Sequence, residues 1–180
     1  MKVPYFVPSV DEDDIANVQR IMRSGWLTTG LEVKNFEAAF SDYIGSKFCV
    51  AVNSATAALH LSVLASKIKA GDSVLVPTMT FASTAEVLYY CDVKPILVDC
   101  NLKDLTLDLS DAEKKLQLAE KNGVKVTGII PVHYAGKMVN MDAVEDFANR
   151  YHLEIIEDAA HCMNSQYFSK KHNQIGRAHV

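Results

Sequence analysis

Glu154-Ile155-Ile156-Glu157-Asp158-Ala159-Ala160-His161 is the stretch that decides how this chain is read. Ile155 and Ile156 end a short apolar run, which reads as a buried strand. Two acids follow at its carboxyl end, and small residues come straight after. Open α/β sheets bind ligands at the carboxyl ends of their strands, so an acid placed there is a candidate ligand group. Successive strand residues point to opposite faces, which turns Glu157 away and leaves Asp158 as the better candidate. The plainer alternative is an aspartate that caps the next helix.

Working outward from that strand, short apolar runs alternate with helical patterns. The runs 48–52, 74–76, 95–98, 126–132 and 153–156 read as five strands. Helices are expected over 57–68, 83–90, 110–121 and 141–151. Two more open the chain. The first carries Ile15, Val18, Ile21 and Met22 at helical spacing, with Ser9 or Asp11 as cap and Gly25 as stop. The second presents Val33, Phe36, Phe40, Tyr43 and Ile44. Strands separated by helices of about ten residues argue a parallel sheet covered on both faces. The tail 169–180 reads as polar and irregular, with Lys170 and Lys171 in a surface turn.

At 180 residues one domain is the default. Hydrophobic residues make up 49% and charged residues 22%, an ordinary globular balance. A net charge of −4 gives no reason to expect nucleic acid or an anionic membrane as partner. No apolar run is long enough to span a bilayer, and the N-terminus lacks the apolar core of a secretory signal. Cys49, Cys91, Cys100 and Cys162 lie far apart without C-x-x-C spacing. They are expected as reduced thiols in the cytoplasm, with no metal site.

Four loops at strand ends carry the candidate chemistry. Asn53-Ser54-Ala55-Thr56-Ala57-Ala58 opens a helix. Its small residues and the Thr56 hydroxyl suit a phosphate at the helix N-terminus, or it is an ordinary N-cap. In Pro77-Thr78-Met79-Thr80-Phe81-Ala82, Phe81 is either a ring to stack on a flat ligand or a core phenylalanine. His133 in His133-Tyr134-Ala135-Gly136 either touches cofactor or substrate or is a satisfied strand-end histidine. Asp158 can hold a pyridine nitrogen protonated, since an opposite charge at contact favours the charged form. A pyridinium makes pyridoxal phosphate (PLP) a strong electron sink.

Taken in order, these loops resemble the large domain of fold-type I PLP enzymes, and more narrowly the DegT/DnrJ/EryC1/StrS sugar aminotransferases. The matching stretches also include Gly25-Trp26-Leu27-Thr28-Thr29-Gly30, Gly71-Asp72-Ser73-Val74-Leu75-Val76-Pro77, Pro95-Ile96-Leu97-Val98-Asp99 and Ile130-Pro131-Val132-His133-Tyr134-Ala135-Gly136. The resemblance implies a three-layer αβα fold with a mostly parallel sheet, incomplete at the C-terminus. Residues 1–180 would hold the N-terminal helices and most of the PLP-binding domain, without the small C-terminal domain. It implies PLP phosphate at Ala55 and Thr56, ring stacking on Phe81, Asp158 at the pyridine nitrogen and His161 near the ring hydroxyl. Thr28 and His133 are the candidate substrate contacts. The implied reaction moves an amino group from glutamate to a keto group of a nucleotide-linked sugar, in a homodimer.

The departures matter as much. Cys162 and Met163 stand where small or polar residues are common in that family. The Schiff-base lysine is expected beyond Val180, so the chain as given is expected to be inactive alone. A PLP-dependent sugar dehydratase of the same family, with histidine in that place, is one alternative. A non-catalytic fragment is another. A dinucleotide-binding oxidoreductase would need G-x-G-x-x-G after the first strand, where Asn53-Ser54-Ala55-Thr56 stands. Gly25 and Gly30 have Walker spacing, but Leu31 and Glu32 replace the lysine and hydroxyl residue.

Overall fold

The computed structural model describes residue 4, residues 7–163, residues 165–170 and the backbone of residues 174–177. The chain divides into two compact units, Met1–Ala51 and Val52–Val180.

In the first unit, α1 (Glu12–Ser24) and α2 (Leu31–Ile44) form as expected. Asp11 is the cap of α1. Its side chain accepts the Asp14 N–H while the Asp14 carboxylate accepts the Asp11 N–H, a reciprocal capping box. Gly25 ends the helix at φ 72°, a conformation that glycine adopts without a Cβ clash. The run 48–52, expected as a strand, is not one. A strand exists only as half of a ladder, and no described strand pairs with this run. The Ala51 N–H instead donates to Glu37 Oε1 at 2.8 Å.

The second unit is an αβα sandwich. Its sheet comprises β1 (Ser73–Pro77), β2 (Lys94–Val98), β3 (Val126–Ile129) and β4 (Glu154–Ile155), all parallel, in the order β2-β1-β3-β4. β1 lies centrally and all five of its residues are buried. Alternation along the strands separates two cores. Val74, Val76 and Ile130 pack with Leu59 and Val63 of α3 (Ala55–Ala65) and Val87 and Leu88 of α4 (Ser83–Tyr90). Leu75 and Ile129 pack on the other face with Leu116 of α5 (Leu109–Lys121) and Val144 of α6 (Met141–Tyr151).

Two strand expectations change. The run 126–132 is regular only to Ile129, because Pro131 has no N–H to donate. Pairing resumes at a single bridge, Val132 to Asp158. Within the tail 169–180, expected to be irregular, Ser169 and residues 174–177 lie in strands. β5 (Gln166–Ser169) and β6 (Gln174–Arg177) form an antiparallel hairpin. Its inward residues, Tyr167 and Ser169, are polar, so the strand carries little apolar signal. Lys170 is exposed in the turn after β5, while Lys171 lies outside the described residues.

Candidate functional site

The strand order places a switch point between β1 and β3. From β1 the chain crosses through α4 to β2 on one side, then through α5 to β3 on the other. Open α/β sheets form their ligand crevice at such a point. A cavity of about 400 Å³ lies there, lined from the loops after β1, β3 and β4 and by the start of α3.

Ser54 caps α3: its hydroxyl accepts the Ala57 N–H at 3.1 Å and its carbonyl accepts the Ala58 N–H at 3.0 Å. The Ala55 and Thr56 amides, one turn earlier, have no acceptor inside the helix. Both residues line the cavity, so the positive end of the helix dipole meets it there. Across the cavity, Phe81 is 74% exposed. That excludes the core-phenylalanine alternative and leaves a ring at the rim.

Asp158 is almost wholly buried and caps no helix. Its backbone is pinned to the neighbouring strand end: its N–H donates to Pro131 O at 2.9 Å, and its carbonyl accepts the His133 N–H at 3.0 Å. Its Oδ2 accepts the Thr84 hydroxyl at 2.7 Å, and Thr84 in turn lies 2.7 Å from the Thr80 hydroxyl. Oδ1 accepts one longer bond, from the Ala160 N–H at 3.3 Å. A carboxylate offers about four lone-pair sites, so Asp158 retains acceptor capacity toward the cavity it lines.

His161 lines the same cavity and accepts the Ala135 N–H at Nδ1, 3.3 Å. In the neutral ring that places the hydrogen on Nε2. His133 also borders the cavity, but its side chain is fully buried. Nδ1 accepts the Val139 N–H at 3.1 Å, so Nε2 carries the hydrogen and donates to Glu157 Oε2 at 2.9 Å. These contacts are those of a satisfied strand-end histidine. Glu157 does point away from Asp158, into a second cavity of about 560 Å³ lined also by Asp142, Glu145 and Tyr167. Burial and those three carboxylates push the Tyr167 phenol up from its ordinary value.

Ala55, Thr56, Phe81, Asp158 and His161 therefore share one cavity, as the strand-end reading requires. Thr28 belongs to the N-terminal unit, where it lines a separate cleft with Arg20, Ser24 and Trp26. Sequence reasoning missed Thr80 and Thr84. Their only signal was two hydroxyls four positions apart at the start of a helix.

The DegT/DnrJ/EryC1/StrS aminotransferase family matches residues 8–180. The chain belongs to that family. It is 38% identical over 174 residues to the uncharacterized protein MJ1066 of Methanocaldococcus jannaschii, covering 97% of this chain and 44% of that protein. It is 37% identical over 165 residues to the UDP-4-amino-4-deoxy-L-arabinose–oxoglutarate aminotransferase of Shewanella sediminis, covering 92% and 41%. Spr1654 from Streptococcus pneumoniae, solved in PLP and PMP forms, matches with a TM-score of 0.85 and 28% identity, covering 94% of this chain and 45% of that one. The chain thus spans less than half the length of these relatives.

Proposed function

We propose that this chain forms the PLP-binding wall of an aminotransferase that moves an amino group from glutamate to a keto group on a nucleotide-linked sugar. The observation that carries the reading is the single cavity shared by an α3 N-terminus, an exposed aromatic ring and a buried carboxylate. The Ala55 and Thr56 amides and the Thr56 hydroxyl would bind the phosphate. Phe81 would cover one face of the pyridine ring. Asp158 would accept from the protonated ring nitrogen, and His161 would donate from Nε2 toward the ring hydroxyl. When bound, PLP supplies the electron sink on which amino transfer depends. The PLP and PMP forms of Spr1654 support the cofactor, and the sugar-nucleotide aminotransferase of Shewanella sediminis supports the substrate class.

Thr28 is proposed as a substrate contact on the ground of the family resemblance alone. His133 serves the site by holding the turn after β3. Exposed apolar side chains on the first unit, among them Met22, Trp26 and Leu31, support a homodimer. Among the described residues, none of those lining the cavity is a lysine, and Lys170 is exposed, with its backbone N–H donating to Asp142 Oδ2 at 2.9 Å.

Pyridoxamine phosphate tests the site directly, because it binds without a covalent link to lysine. Calorimetric titration should show one site per chain. Asp158→Asn should weaken it roughly 10- to 100-fold, the value of a charge-assisted hydrogen bond, with the circular dichroism unchanged. Equal affinity in wild type and variant would refute the assignment of Asp158.

A further inference from the structure

We propose that Thr84, supported by Thr80, is a positioning residue that sets the Asp158 carboxylate against the ligand's ring nitrogen. The proposal rests on the PLP reading above and deepens it. Thr84 Oγ1 donates to Asp158 Oδ2 at 2.7 Å across 74 positions of sequence, and Thr84 is fully buried. A hydroxyl has one hydrogen, and that of Thr84 goes to Asp158. The 2.7 Å contact between Thr80 and Thr84 must then run from the Thr80 O–H to the Thr84 oxygen. The result is a directed chain, Thr80 to Thr84 to Asp158, in which each bond polarises the next.

The geometry makes this chain specific to orientation. Asp158 has its backbone clamped at both N–H and C=O, so its remaining freedom is rotation of the side chain. The short bond from Thr84 fixes Oδ2, and with it the plane of the carboxylate. The longer contact from the Ala160 N–H leaves Oδ1 the less committed oxygen. Thr84 also lies in the first turn of α4, where its N–H donates to Phe81 O at 3.1 Å. One short segment therefore sets both the ring that would stack on the ligand and the carboxylate that would meet its nitrogen. Because Thr84 is sealed from solvent, water cannot replace its hydroxyl at low cost.

The test compares pyridoxamine phosphate with its carbocyclic analogue, in which C–H replaces the ring nitrogen. The ratio of the two affinities reports the Asp158 contact and cancels the phosphate and stacking contacts. Wild type should prefer pyridoxamine phosphate by about tenfold or more, in line with a bond to a charged group. Thr84→Val keeps the shape and removes the hydroxyl. It should reduce that ratio by about threefold or more, mainly by weakening pyridoxamine phosphate, as expected when one bond of a chain is lost. Thr84→Ser should restore the ratio, and Thr84→Val should have no further effect on it in an Asp158→Asn background. Should Thr84→Val not fold, Thr80→Val removes the donor at the other end of the chain and should lower the ratio in the same direction. If wild type binds neither compound, or both equally, the PLP reading fails and this inference falls with it. If wild type discriminates and the folded threonine variant discriminates equally well, the PLP reading stands and the inference alone is overturned.

Discussion

Replacing Glu157 by alanine tests how the turn beside the cavity is held. The His133 ring has no exposed side-chain surface, and its Nε2–H donates to Glu157. A buried donor left without an acceptor costs about 1–3 kcal/mol. The Glu157 side chain is 22% exposed and lines the second cavity, so its removal lets water approach Nε2. That favours the lower part of the range, about 1–2 kcal/mol. Glu157→Gln keeps a carbonyl oxygen in place and should cost about half as much, since only the charge assistance is lost. For a chain of this size each kcal/mol corresponds to a shift of about 2–4 °C in Tm. Urea unfolding followed by circular dichroism would give the energies, and amide exchange would give the location. The Val139 N–H donates to Nδ1 of the same ring, so Glu157→Ala should accelerate its exchange before that of the β1 amides. Wild-type stability in Glu157→Ala with unchanged Val139 exchange would refute the role given to the His133–Glu157 bond. So would equal damage from glutamine and alanine, because then the acceptor is not what matters.

Three further outcomes follow from the sheet. Burial pushes Asp72 up, but the Lys69 N–H, the Lys125 ammonium and the Thr127 hydroxyl outweigh it and hold the carboxyl below its ordinary value. A depressed folded-state value contributes stability that is present above the unfolded value, about 3.9, and is lost as pH falls through the folded one. The gap between wild type and Asp72→Asn in urea titrations should therefore be full near neutrality and shrink below about pH 4. A Cβ at Gly128 would lie 2.8 Å from Ile68 Cδ1 and 3.3 Å from Glu154 O, so Gly128→Ala should destabilise by about 1–3 kcal/mol in the same assay. Leu75 is completely buried on the central strand, and Leu75→Ala should cost about 2–5 kcal/mol.

What the sequence made legible follows from how local each signal was. Helices declare themselves within a dozen residues, and the helix Ser83–Tyr90 and the helix Met141–Tyr151 have the ends expected of them. Strands do not, because their hydrogen bonds go to another segment. The run 48–52 has strand composition without a described partner, whereas 174–177, inside the tail read as polar and irregular, pairs with 166–169. The site divides along the same line. Asp158, Thr56 and Phe81 are each announced by their position after an apolar run or at a helix start, and the sheet order brings them into one cavity. Thr84 has only a faint local signal, a second hydroxyl four positions before it, because its role is set by a carboxylate 74 residues away. His133 is instructive in a different way. Its place at a strand end suggested contact with a ligand, yet both ring nitrogens are taken by Val139 and Glu157. A strand end supplies two directions, one into the crevice and one into the fold, and residue type does not choose between them. The partners available on each side do. Asp158 meets hydroxyl and amide donors that leave it acceptor capacity toward the cavity, while His133 meets one donor and one acceptor that together use up the ring.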